Sequence, residues 1–148
     1  MPPGMSPIVR TVARLVTGFI TMYGIYVVLY GHVSPGGGFA GGAILAAGFI
    51  LLLLAFGKVR TEQIVSHRMA IAWDSGGALA FLAVAALGYV AGSFFLNFLA
   101  LGEPYRLVSA GTLPLSNASI GAKVGAGLFG VFLALSVFRP AGDREDET

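Results

Sequence analysis

Three ionisable side chains sit in or against long uncharged stretches of this chain, and their chemistry suits them to moving charge. Lys123 lies inside IGAKVGAGLFGVFLAL, where it is the one charged residue. An ammonium there either snorkels its four-carbon stem to water or faces a polar cavity, the usual mark of an ion or proton route. The positive end of a helix starting just before Lys123 opposes a cation, which weakens the snorkelling reading. Asp74 precedes Ser75 and the Gly76-Gly77 pair at the mouth of another apolar run. An acidic residue at a helix start satisfies free amides and complements the dipole; a part in transport is the competing reading. Histidine changes charge near neutral pH, so His32 is suited to shuttling protons. Beside a Pro-Gly turn, hydrogen bonding to the loop backbone is its alternative role. Glu103 and Arg106 are spaced to pair across one loop turn as a solvated contact. Lys123, Asp74 and His32 are thus the ion-path candidates.

Other chemistries find no support. There is no cysteine, which excludes disulfides, thiolate metal sites and iron–sulfur ligation by this chain. The two histidines have few carboxylates near them in sequence and make no metal-binding spacing. The glycine-rich segment lacks the Lys-Ser/Thr that would follow in a phosphate-binding loop. No nucleophile–base–acid set is present. The expectation is a non-enzyme with no cofactor and no metal, so redox chemistry nearby would belong to another subunit.

The elements that must position these residues are membrane helices. Of 148 residues 56% are hydrophobic and 11% charged, and the charges cluster between long neutral runs. Mean hydropathy is +0.84, far above that of a soluble domain. A span needs about 20 apolar residues to cross a hydrocarbon core of about 30 Å. Four runs qualify, with helices expected over approximately 10–30, 38–57, 75–101 and 118–138. The chain reads as one domain over 1–148, an all-α membrane protein of four transmembrane helices. The first run is expected to be retained, because no small-residue cleavage site follows it. Arg10, Arg14, Lys58, Arg60, Arg68, Arg139 and Arg144 fall on one side and Arg106 on the other. Excess Lys/Arg marks the cytoplasmic side, so both termini should be cytoplasmic. The basic balance reflects this rule and gives no reason to expect nucleic acid.

Glycine and proline punctuate these helices. Pro35-Gly36-Gly37-Gly38-Phe39 and Gly41-Gly42 make a shaped turn leading into a helix whose first face is almost bare backbone. Gly38/Gly42, Gly88/Gly92 and Gly121/Gly125 form small-xxx-small pairs, the pattern that lets helices approach closely in lipid. They serve either packing within the chain or docking of helices from other subunits. The outer loop, 102–118, is expected to be the longest connection, with GTLPLSN extended or turned over the outer face.

The chain resembles the MnhB/MrpB family, small membrane subunits of multisubunit Na⁺/H⁺ antiporters. The resemblance runs from about Arg10 to Phe138. It is carried by Gly31-His32, by Pro35-Gly36-Gly37-Gly38-Phe39 with Gly41-Gly42, by Gly76-Gly77-Ala78-Leu79, by Gly102-Glu103-Pro104-Tyr105, and by the glycine-rich start of the fourth helix. It implies a multi-pass protein of a prokaryotic plasma membrane that assembles with other membrane subunits to exchange Na⁺ and H⁺. Related modules occur in ion-pumping hydrogenases and other relatives of complex I, which is the alternative parent machine. One departure stands out: the antiporter pattern has an acidic residue near the start of the fourth helix, where this chain has Lys123. A structural spacer that organises other subunits is the reading from a different class.

Overall fold

The computed structural model describes residues 5–57, 61, 65–99 and 109–136. Among these, four α-helices are long and apolar enough to cross a membrane, and no strand occurs. They are α1 (Pro7–Leu29), α2 (Gly37–Phe56), α3 (His67–Val90) and α4 (Leu113–Leu135). At about 1.5 Å per residue each is about 30–36 Å long, enough for the hydrocarbon core.

Local chemistry sets the helix ends. Ser6 caps α1 by accepting a bond from the Val9 amide, and Pro7 fills the first turn, where its missing N–H costs nothing. The turn into α2 runs through Gly36 (φ 93°) and Gly37 (φ 49°), a left-handed stretch that residues with a Cβ rarely adopt. Ser66 caps α3 through the Met69 amide, so the 67–74 segment belongs to the helix. The expectation of a third helix beginning at 75 is corrected by two turns. Its far end is corrected as well, since α3 stops at Val90. Beyond it the chain reverses through Gly92 (φ 126°) and Phe95 (φ 61°), where a helix cannot continue. Helix α4 starts at Leu113, five residues before the expected 118. Pro114, read as loop punctuation, sits in the first helical turn. Asn97 holds that start: its side chain accepts from the Thr112 amide at 2.9 Å and donates to the Ala110 carbonyl at 3.1 Å.

Spatial order departs from chain order. Helix α2 lies between α1 and α4, and α3 packs chiefly on α4. Three approaches show that α2 and α4 run parallel. Gly38 N donates to Asn117 Oδ1, Gly42 abuts Gly121, and the rings of Phe49 and Phe129 lie 5.9 Å apart. Helix α1 is antiparallel to α2, with Val28 against Gly41 and Thr17 near Gly48. Helix α3 is antiparallel to α4, with Gly77 against Ser119 and Asp74 near Gly127. Because α1 opposes α2 while α2 runs with α4, the α1 start and the α4 end fall at the same end of the bundle. Which compartment that end faces depends on loop residues such as Lys58, Arg60 and Arg106, which lie outside the described residues.

Two of the three glycine pairs meet each other within the chain. A Cβ at Gly42 would lie 2.7 Å from the Gly121 carbonyl oxygen, and one at Gly38 would collide with the Asn117 backbone. A Cβ at Gly125 would lie 3.3 Å from the Gly42 carbonyl oxygen. Close backbone approach thus builds the α2–α4 seam. The third pair is corrected: Gly88 sits under the reversed 93–96 segment and Gly92 is the break after α3, so together they form no helix face. Where α2, α3 and α4 converge, Leu53, Ala70, Phe129 and Leu133 form the buried core. Between α1, α3 and α4 lies an apolar cavity of about 400 Å³ bounded by Ile25, Leu45, Met69, Trp73 and Gly121.

Candidate functional site

The shifted helix ends place the charged candidates far deeper than expected. Lys123 is the eleventh residue of α4, about 15 Å along the axis from Leu113 and about 18 Å from Leu135. It was expected about one turn below the interface; it stands at mid-span. Asp74 is the eighth residue of α3, not a capping residue at its start. Because α3 and α4 run antiparallel, the two side chains meet across the seam, with Lys123 Nζ 3.0 Å from Asp74 Oδ1.

Glycines on both helices make this meeting possible. Gly77, one turn beyond Asp74, lets α3 touch α4: a Cβ there would lie 2.7 Å from the Ser119 carbonyl oxygen and 2.8 Å from the Lys123 amide nitrogen. Gly127, one turn beyond Lys123, leaves room for the carboxylate, whose Oδ1 would lie 3.4 Å from a Cβ at that position. The pair therefore spans two closely apposed backbones. It is not enclosed by them, since the Lys123 and Asp74 side chains are 50% and 40% exposed on the outer face of the bundle. A cavity of about 290 Å³ opens beside the ammonium, lined by Gly77, Phe81 and Ser119 among others. The Ser119 hydroxyl already donates to the Leu115 carbonyl, one turn back on its own helix.

His32 belongs to a separate cluster. Its Nε2 lies 3.2 Å from Ser109 Oγ, and its ring stacks on Tyr30 at 6.3 Å. The contact ties the α1–α2 turn to the segment preceding α4, at the end of the bundle opposite the α4 C-terminus. Tyr30 continues into Tyr26 and Tyr23 along one side of α1. The structure thus brings Asp74 and Lys123 together and leaves His32 about 15 Å along α4 from them. Among the described residues no group of three or more His, Cys, Asp or Glu is placed to hold a metal ion. Glu103 and Arg106 lie outside the described residues.

Two residues that sequence reasoning passed over position this arrangement. Asn117 anchors the Pro35–Gly38 turn on α4 through the Gly38 amide at 3.3 Å. Asn97 sets where α4 begins, and with it the depth of Lys123. Both lie in stretches assigned differently from sequence. The one available signal was a polar amide side chain in an otherwise apolar surrounding.

Comparison with known proteins agrees with this architecture. The family described as a domain related to the MnhB subunit of Na⁺/H⁺ antiporter matches residues 8–130. An uncharacterized protein of Methanocaldococcus jannaschii is 35% identical over 130 residues, covering 83% of this chain and 49% of its own length. A Staphylococcus aureus protein assigned as antiporter subunit mnhB2 is 49% identical over 49 residues, or 33% of this chain and 35% of that protein. A chain in the structure of the membrane-bound sulfane sulfur reductase, an archaeal respiratory membrane complex, superposes with a TM-score of 0.77 at 31% identity. That match covers 90% of this chain and 59% of the other. The chain spans about half the length of the archaeal relative and less than two thirds of the solved one. Four membrane-length helices, their glycine-built seam and a match over residues 8–130 lead to one assignment: the chain is a multi-pass membrane protein belonging to the family of domains related to the MnhB subunit of Na⁺/H⁺ antiporters.

Proposed function

We propose that this chain is a membrane subunit of a multisubunit monovalent cation (Na⁺)/proton antiporter in a prokaryotic plasma membrane, and that Lys123 and Asp74 lie on its ion path. The observation that carries the reading is the ion pair at mid-span, 3.0 Å from nitrogen to oxygen. Ionisable groups at that depth are expensive in lipid, and where they persist they mark routes for ions or protons. A proton or Na⁺ arriving at the Asp74 carboxylate competes with the ammonium for its charge. Once Asp74 is neutralised, Lys123 is released to a neighbouring acceptor; when the cation leaves, the pair closes again. His32, at one end of the bundle, is suited to passing protons between solvent and the path.

Assembly into a larger machine follows from the same geometry, because one neutral pair makes no continuous route across the membrane. The sulfane sulfur reductase neighbour favours a second reading, in which the parent is a redox-driven complex and this subunit does the same work within it. A spacer that touches no ion is the remaining alternative.

The test is Asp74→Asn in the assembled complex, assayed in inverted vesicles for proton movement on addition of Na⁺. The expected result is a loss of about tenfold or more in exchange rate per assembled complex, the scale of one charge-assisted contact. Unchanged exchange in a fully assembled mutant would establish the spacer reading.

A further inference from the structure

The Asp74–Lys123 pair is half exposed on the outside of its own chain, which sets a requirement on whatever adjoins it. An ammonium offers three donors. Among the described residues Lys123 has one acceptor, Asp74 Oδ1. The one other polar side chain lining the adjoining cavity, Ser119, donates its hydroxyl to the Leu115 carbonyl and, among the described residues, makes no hydrogen bond with the ammonium. Lys123 stands about 15 Å or more from either end of α4, beyond what a four-carbon stem covers by snorkelling. Lipid tails would leave two donors of a charged group unsatisfied at a depth where that is costly.

We infer that the α3–α4 face around Lys123 and Asp74 is the docking surface for a transmembrane helix of another subunit, which brings hydrogen-bond acceptors to the Lys123 ammonium. The inference rests on the reading of this chain as one subunit of a larger membrane complex. Complementarity of charge selects the partner. Its facing helix carries an Asp, Glu, Asn, Gln, Ser or Thr, or a broken turn with free carbonyls, within reach of mid-span. The cavity of about 290 Å³ beside Phe81 and Ser119 has room for such a side chain. The contact between Gly77 and the α4 backbone keeps the two helices together, so the pair presents outward and does not sink between them. In the assembled state the ammonium is then held from two sides, by Asp74 of this chain and by the partner's acceptor.

The experiment uses the complete complex in its native membrane. Phe81 is replaced by photoreactive benzoylphenylalanine, and the adduct is mapped by mass spectrometry. Retention of the captured subunit on detergent washing is then measured for Lys123→Met, for Lys123→Arg, and for the charge-free Asp74→Asn/Lys123→Met double variant. The expected adduct is with a transmembrane helix of one other subunit, bearing an acceptor within a turn of the attachment point. Both Met-bearing variants should lose retention of that subunit by about tenfold or more, and Lys123→Arg should keep it. The double variant leaves no lone charge in the membrane, so its loss of partner cannot be ascribed to misinsertion. Adducts with lipid alone, with a second copy of this chain, or with a helix lacking acceptors would overturn the inference. So would full retention in the double variant. Transport by Asp74→Asn does not enter this test, so failure of the ion-path reading and failure of the docking surface are separately visible.

Discussion

The α2–α4 seam makes a quantitative prediction at Gly42. Adding a methyl group there places a carbon 2.7 Å from the Gly121 carbonyl oxygen, 2.9 Å from Val124 Cβ and 3.1 Å from Gly121 Cα. Two of those three neighbours are main-chain atoms of a helix, so no flexible side chain can swing aside. Restoring ordinary contact at about 3.5–4.0 Å requires the helices to part locally by about 0.8–1.3 Å. Overpacking of this kind costs about 1–3 kcal/mol. Alanine also gains about 1 kcal/mol over glycine from helix propensity, and that gain must be subtracted. Gly18 and Gly76 supply the subtraction, since a Cβ at either meets nothing within 4 Å. Gly18→Ala and Gly76→Ala should be neutral to slightly stabilising, and Gly42→Ala should fall below them by about 1–3 kcal/mol, the overpacking cost that remains once the shared propensity gain cancels. The assay is SDS titration of the purified chain in mild detergent, followed by the fluorescence of Trp73, its sole tryptophan. A Gly42→Ala midpoint equal to those of the two controls would refute the contact between α2 and α4.

Asn97→Ala should release the Thr112 amide and the Ala110 carbonyl, lowering the local stability of the α4 start by about 1 kcal/mol. Hydrogen exchange at the Thr112 amide should rise about fivefold, while exchange near Phe129 stays unchanged. For orientation, a cysteine at Ser109 should react with an impermeant thiol reagent from outside the cell, and one at Ser66 should not. The reverse labelling would place both ends of the bundle opposite to the reading from the basic residues.

The number and identity of the spans were legible because each is a long apolar run bounded by polar or glycine-rich stretches. Their ends were not. From Met69 to Leu101 the one charged residue is Asp74, so hydropathy cannot say where α3 stops. The stop is conformational, at Gly92 and Phe95, and a glycine that breaks a helix reads in sequence like one that packs it. Pro114 posed the same ambiguity: a proline that ends one element and a proline that opens the next are one letter. These boundary shifts carried the functional consequence. Starting α4 five residues earlier moves Lys123 about 7.5 Å deeper and turns a near-interface lysine into a mid-span one. Starting α3 eight residues earlier does the same for Asp74. Their meeting was invisible to spacing because they are 49 positions apart and belong to different helices. The reach of Asn117 to Gly38, 79 positions away, was hidden for the same reason.

The two charges belong to one antiparallel helix pair, and that bears on how the chain enters the membrane during synthesis. A lysine or aspartate at the centre of a lone inserting helix costs about 2.5–3.5 kcal/mol each. If α3 and α4 partitioned one after the other, each would meet that cost alone. As a hairpin they enter together with the ammonium already against the carboxylate, so the unit crossing into lipid is electrically neutral at mid-depth. The reversed segment at 92–97 and its Asn97 bonds to the α4 start hold the two helices at the register that aligns the charges. The α1–α2 hairpin, which carries no charge at mid-depth, can insert first and offer Gly38 and Gly42 as a ready surface for α4. Removing either charge alone would therefore leave an unbalanced hairpin at the insertion step, before any subunit is there to receive it.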